Sequence, residues 1–285
     1  MQFRTTRRGL FGGSAAVLAS WKLGSAATTP AAHSEALKLG VASYSFRKFS
    51  RAEMIKGLQT LGIKYVNVKD VHLPMAASKA EIAQAKKEFD DAGIQVVGIG
   101  NVSLRGKTAG EDSIHSAFEY AKALGSPVMV MAPAHDNLDK IEKAVKEYDI
   151  KAAIHNHGPE DKDWFPTPES VMKAVKGMDQ RMGLCIDIGH TVRTGADVVE
   201  AVREALKAGR LHDMHTKDLK DLSNKDSQVS VGDGVIPIVA IFKELEKGHY
   251  KGYLNHEYEV QADNPIPGMQ KSFSYMRGVL DGLKG

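Results

Sequence analysis

Residues 155–157 read His-Asn-His, at the end of the apolar run Ala152-Ala153-Ile154 and just before Gly158 and Pro159. Side chains alternate faces along a strand, so His155 and His157 are expected to point one way and Asn156 the other. Paired imidazoles at a strand end suit metal ligation or proton transfer, and a polar rim also tolerates them. The same kind of position recurs downstream. "CIDIGH" ends in Asp187 and His190, "HDMHTKD" offers His215 and Lys217, and "NHEYE" offers Glu257 beside His256. Enclosing ionisable groups is unfavourable unless they are paired or metal-bound. Four such strand ends in register therefore point to a built site rather than a solvated rim.

Bringing those ends together requires a repeating scaffold, and from residue 38 the chain supplies one. Short, mostly apolar runs alternate with amphipathic helical stretches eight times. "LKLGVASYSF" reads as the first strand and "KGYLNHEYEV" as the last. Helix starts are marked by Ser50, by Ser78 with Glu81 in a capping box, and by Thr167 ahead of Pro168. Ile238, Ile241, Phe242 and Leu245 share one helical face. Continuously apolar strands fit a parallel sheet covered by helices on its faces. Eight such units in this length predict a closed (β/α)8 barrel in a single domain, α/β in class, over residues 37–285. An open doubly wound sheet would usually carry a Gly-rich phosphate loop after its first strand, and "SYSFRKFS" is not one. In barrels of this kind chemistry sits at the C-terminal ends of the strands, where these residues fall.

With "HNHG", "GLCIDIGHT", "DMHTKD", the "VGDGVIP" turn and "LNHE" in one chain, residues 36–285 resemble the xylose isomerase-like TIM barrels, the sugar phosphate isomerase/epimerase group. The resemblance implies one divalent metal ion (Mn, Mg, Co, Zn or Fe) held by Asp187, His215 and Glu257. A fourth ligand comes from the fifth strand, where the family usually has Glu and this chain has His155. A carboxylate there could bind metal with one oxygen and take a proton with the other. An imidazole has no such second oxygen, so His155 is expected to be a ligand and a poor base. Proton transfer then falls to Glu257 and His157, with Lys217 stabilising an enolate or a bound anion. His190, Lys217, His72 and Trp164 are the expected substrate contacts, with Phe165 beside Trp164. Asn156 and His256 are expected to pack behind the site, and His212 and His249 to be surface or helix-end residues.

Residues 1–27 carry Arg4, Arg7, Arg8 and Lys22 and no acidic residue. Their basic start, modest apolar stretch and small-residue end predict a twin-arginine-type signal peptide and a periplasmic or otherwise exported protein, with 28–36 as a linker. Lys22 interrupts a run already short of a membrane span, so no anchor is expected after processing. Removing 1–27 lowers the net charge from +3 to −1, which argues against nucleic acid as a partner. Cys185 is the single cysteine, so no intrachain disulfide is available. The expected partner is a small sugar substrate, and a homo-oligomer is compatible with the sequence. The reaction expected is proton abstraction next to a carbonyl, leading to isomerisation or epimerisation. β-Elimination from a keto-sugar or 3-keto-glycoside is the alternative. A non-catalytic sugar-binding barrel ranks lower, and so does an endonuclease, because the third and fourth strands offer no additional metal ligands for a multi-metal nuclease site.

Overall fold

Eight parallel strands close on themselves in the order β1-β10-β7-β6-β5-β4-β3-β2. They are β1 (Lys38–Ala42), β2 (Tyr65–Val68), β3 (Gln95–Leu104), β4 (Val128–Pro133), β5 (Lys151–His155), β6 (Met182–Asp187), β7 (Leu211–Thr216) and β10 (Tyr253–His256). A short antiparallel ribbon, β8 (Asp218–Leu219) with β9 (Gln228–Val229), stands apart from the barrel. The structure, a computed structural model, describes residues 37–106 and 109–284. The expected signal peptide and linker lie outside the described residues. Among the described residues no helix is long and apolar enough to cross a membrane.

The helices are α1 (Arg51–Thr60), α2 (Lys79–Asp91), α3 (Glu111–Leu124), α4 (Leu138–Tyr148), α5 (Pro168–Ala174), α6 (Ile188–Arg193), α7 (Val198–Lys207), α8 (Ile238–Lys247) and α9 (Ile266–Leu283). Their starts follow the side-chain chemistry. Ser50 with Glu53 and Ser78 with Glu81 form reciprocal capping boxes, and Thr167 caps α5 with Pro168 next. Each box satisfies backbone N–H groups that a helix start leaves unpaired. On α8, Ile238, Ile241, Phe242 and Leu245 are all buried, as their shared face requires. Phe46, Phe89, Phe118, Phe165, Phe242 and Phe273 are fully enclosed in the main core. Burying each such ring is worth about 1.5–3 kcal/mol.

Several boundaries differ from the sequence expectation, and each difference has a local cause. The first strand stops at Ala42, and Ser43–Phe46 turns as a 3-10 helix whose Ser45 Oγ donates back to Ala42 O. The seventh strand stops at Thr216, because Asp218 is drawn off to anchor the "VGDGVIP" turn. Its carboxylate accepts from the backbone N–H groups of Gly232, Gly234 and Ile236. A short helix, α6, also follows β6 directly, with Asp187 as its N-cap.

The barrel interior carries an unexpected polar layer below the strand ends. The enclosed Asp213 accepts from Asn67 Nδ2 at 3.2 Å and Asn255 Nδ2 at 2.7 Å. Burial pushes its carboxyl up to about 6, opposed by His215 and the two amides. Gly40 makes room for this layer, since a Cβ there would lie 2.3 Å from Asn255 Oδ1. Beside it Val128, Val130, Ala153 and Cys185 form a separate small apolar cluster.

Candidate metal centre

Strand parity places Ala153 and His155, Cys185 and Asp187, and Asp213 and His215 on shared faces in pairs, the later residue of each nearer the strand end. The result is a convergence. His155, Asp187, His215 and Glu257 each offer a ligand atom, all within 4.8 Å of one another. His155 Nε2 lies 3.1 Å from His215 Nδ1 and 3.6 Å from Asp187 Oδ2, and His215 Nδ1 lies 3.4 Å from Glu257 Oε2. Donors held about 2.0–2.2 Å from one ion in a tetrahedral shell stand roughly 3.4 Å apart, so the spacing fits a small divalent cation. Asp187 Oδ2 is fully buried, and its charge is met by Lys217 Nζ at 2.9 Å. Its partner oxygen Oδ1 accepts from the His190 backbone N–H at 2.8 Å, which fixes the carboxylate by the cap of α6.

Electrostatics reinforce the arrangement. Burial alone would raise the carboxyls of Asp187 and Glu257, but Lys217 beside them holds both well below the usual range. Lys217 Nζ is 2.9 Å from Asp187 Oδ2, 2.8 Å from Glu257 Oε2 and 2.6 Å from Glu259 Oε1. Burial disfavours the ammonium, yet these three carboxylates hold it well above its ordinary value. Burial, with His157 adjacent, pushes His155 down to about 3, and burial pushes His157 and His190 to about 4. These three imidazoles are neutral near pH 7, the state a metal ligand needs. His215, by contrast, is disfavoured as a cation by burial but held well above its ordinary value by Cys185 and Glu257, so a metal bound there would displace its proton. His155, Cys185 and His215 also converge. Burial pushes the Cys185 thiol up to about 12, however, so the carboxylate-bearing set is the one already ionised.

His157 joins the cluster, its ring 4.4 Å from that of His155. Strand parity is only part of the cause. β5 ends at His155, and His157 (φ −111°, ψ 7°) has already turned off the strand. Asn156 lies buried behind as expected. Its Oδ1 accepts from the Asp187 backbone N–H and its Nδ2 donates to Thr191 Oγ1. His190 also reaches the cluster, Nε2 standing 4.0 Å from Asp187 Oδ2. His256 packs at the back, near Phe273, with Nδ1 2.9 Å from Thr216 O.

Four residues are placed differently from expectation. His72 does not line the cavity: Ser43 Oγ is 3.0 Å from Nδ1 and Phe46 O is 3.1 Å from Nε2, so both ring nitrogens pin the turn after β1. Trp164 does not offer its face to a sugar, because the Arg105 guanidinium covers it at 5.1 Å and His135 stacks nearby. Phe165 is entirely core. His212 is no surface residue. It is buried in β7 with Nε2 3.0 Å from Gln180 O, and burial pushes it to about 4. His249 is exposed just past α8, as expected.

Residues without a clear sequence signal complete the site. The pairing of β3 with β4 slips between Ile99 and Val102, and Asn101 sits in that slip. Its Nδ2 donates to His157 Nε2 at 2.8 Å. Arg105 grips Asp161 with two 2.7 Å hydrogen bonds, and Asp161 Oδ2 stands 3.7 Å from His157 Nδ1. An inner chamber of about 250 Å³ is lined by Tyr44, Lys69, Asn101, His155, Glu257 and Glu259, among others. An outer one of about 670 Å³ adjoins it through shared His157, His190 and Glu259, and extends past Arg105, Arg193 and Leu219.

Comparison with known proteins agrees with this architecture. The family profile described as xylose isomerase-like TIM barrel matches residues 55–279. Inosose dehydratase of Clostridium perfringens (strain 13 / Type A) is 26% identical over 160 residues, 50% of this chain and 52% of the relative. The chain thus spans about half the length of the curated relatives it matches. A D-tagatose 3-epimerase-like protein superposes with a TM-score of 0.70 at 18% identity, covering 87% of this chain and 100% of the other. The IOLI protein with a bound zinc atom gives 0.70 at 17%, covering 86% and 99%. At those identities the structural likeness is one of fold.

Proposed function

Because the chain belongs to the xylose isomerase-like TIM barrel family, we propose that it is a divalent-metal-dependent enzyme of sugar metabolism that removes a proton next to a carbonyl, as a sugar isomerase or epimerase does. The observation that carries this reading is the convergence of His155, Asp187, His215 and Glu257 at one end of the barrel. A divalent ion held there would polarise adjacent oxygens of a hydroxy-ketone and acidify the intervening C–H. Glu257, kept ionised by Lys217, is placed to accept that proton from one side. His157 faces it from the β5 side with a neutral imidazole and is the second group able to move a proton. Lys217 supplies a fixed positive charge beside any enolate oxygen.

The outer chamber favours a second reading, β-elimination from a keto-sugar or 3-keto-glycoside. It leaves room for a departing group beyond the reacting ring. The substitution of His155 for a carboxylate also removes one expected base, which weighs against a symmetric two-base epimerisation. Most cations at this mouth already have carboxylate partners: Arg105 with Asp161, Arg193 with Glu160, and Lys217 with three. An uncharged sugar suits that balance better than a phosphorylated one. Against the nuclease reading, which has a relative in the probable endonuclease 4 of Methanosphaera stadtmanae, stands the metal arrangement: among the described residues the convergent metal-capable groups all belong to this one centre.

The test is proton exchange in D2O with a panel of keto-sugars and 3-keto-glycosides. Deuterium at the carbon next to the carbonyl supports the reading, and product analysis then separates epimer from unsaturated sugar. No exchange by metal-loaded enzyme with any member that binds would count against it. Residues 1–27 are proposed to direct export; N-terminal sequencing of the protein from a periplasmic fraction would read the cleavage point.

A further inference from the structure

Arg193 ends α6 one turn after His190 and is almost fully enclosed, its side chain 5% exposed. Residues three apart on a helix are neighbours. Arg193 Nη2 donates to His190 Nδ1 at 2.6 Å, and Nη1 donates to Glu160 on the turn after β5. A guanidinium has N–H donors and no acceptor, so the contact permits one assignment: Nδ1 is the acceptor. A neutral imidazole that accepts at Nδ1 carries its proton on Nε2. That nitrogen is the one turned toward the metal centre, 4.0 Å from Asp187 Oδ2.

We infer that Arg193 is a positioning residue that locks His190 as its Nε2–H tautomer, so that His190 presents a fixed N–H donor to a substrate oxygen at the junction of the two chambers. The local backbone is shaped for this contact. Gly158 has φ +77°, and a Cβ there would lie 2.9 Å from Arg193 Nη2 and 3.2 Å from His190 O. Glu160, two residues on, anchors the guanidinium from the solvent side. The other strand-end histidines face a second imidazole, a side-chain amide, a carboxylate or a backbone carbonyl, none of which is restricted to donating. His190 alone among the site's imidazoles meets a partner that can only donate. The lock fits a donor role for His190 and excludes Nδ1 as a base while Arg193 is in place.

The tautomer is readable without substrate, and only the donor role rests on the proposed reaction. The experiment is a long-range 1H–15N correlation spectrum of the full chain labelled with 15N-histidine, His190 being assigned by its loss in His190→Gln. The expected result is a protonated Nε2 and a bare Nδ1 in the wild type. In Arg193→Met both tautomers should appear, and Arg193→Lys should restore part of the preference with a single donor. Glu160→Gln, at a half-exposed position, gives a milder version if Arg193→Met misfolds. A protonated Nδ1 in the wild type, or an unchanged spectrum in folded Arg193→Met or Glu160→Gln, would overturn the lock. For the donor role, His190→Gln should lower turnover by roughly 10²-fold. Arg193→Met should lower it less and add nothing in the double variant. Full additivity would contradict action through His190, even if proton exchange by the wild type stands.

Discussion

The barrel divides into two contiguous arcs with opposite chemistry. On one, β5, β6, β7 and β10 end in or beside His155, Asp187, His215 and Glu257. On the other, β1 to β4 end in Ala42, Val68, Leu104 and Pro133. All eight strands satisfy the same backbone pairing, so the fold does not require the difference. A buried carboxylate or imidazole is unfavourable unless paired, and the donor arc pairs its own through Lys217 and the convergent nitrogens. The other arc contributes hydrogen-bonding groups from turns and a bulge: Tyr44, Lys69 and Asn101. A substrate in the inner chamber would thus be activated from one side and held from the other.

The largest effect should come from breaking the donor arc where the proposed ligation and proton transfer coincide. Glu257→Gln is expected to weaken metal retention and lower turnover by the upper end of roughly 10²–10⁴-fold, with initial rates and bound metal read together. His157→Gln should keep the metal and lower turnover toward the bottom of that range. A His157 variant with full activity would leave that residue structural. Across the barrel, Asn101→Ala removes one hydrogen bond to His157, worth about 1 kcal/mol, or roughly fivefold in turnover with metal content unchanged. A loss as large as that of Glu257→Gln would erase the distinction between the arcs.

The donor arc was legible in the sequence because strand parity and an eightfold repeat turn linear spacing into a shared face. The capping residues Ser50, Ser78 and Thr167 were legible for the same reason: a helix start is a local event. What failed depended on partners distant in sequence. His72 looked like any loop histidine until Ser43 and the Phe46 carbonyl claimed both nitrogens. Trp164 became a support because Arg105, about sixty positions earlier, lies over it. Asn101 is placed by a register slip between two strands, and no single-strand pattern reports a slip. Asp213 on "LHDMHT" had a readable parity with His215, which could have flagged it, but its enclosure by Asn67 and Asn255 belongs to the closed barrel.

A smaller effect comes from pH at the opposite end of β7. Burial lowers His212 in the folded state to about 4, while the unfolded chain titrates near 6.5. A depressed imidazole contributes fully above the unfolded pKa. Between about pH 6.5 and 4 the unfolded state binds the extra proton, so stability falls as pH falls through that window. Urea midpoints at pH 7 and pH 5 should therefore converge in a folded His212→Asn variant relative to wild type. Equal pH sensitivity in the two proteins would assign the acid lability elsewhere.

The central claim is that His155, Asp187, His215 and Glu257 hold one divalent ion, and metal stoichiometry tests it most directly. Wild-type protein and Asp187→Ala, equilibrated with a single divalent metal and freed of excess, should be compared by elemental analysis, with circular dichroism confirming the fold of each. One ion per wild-type chain and none in the variant is the expected result. Stoichiometric metal in folded Asp187→Ala, or no retained metal in the wild type under any of Mn, Mg, Co, Zn or Fe, would contradict it.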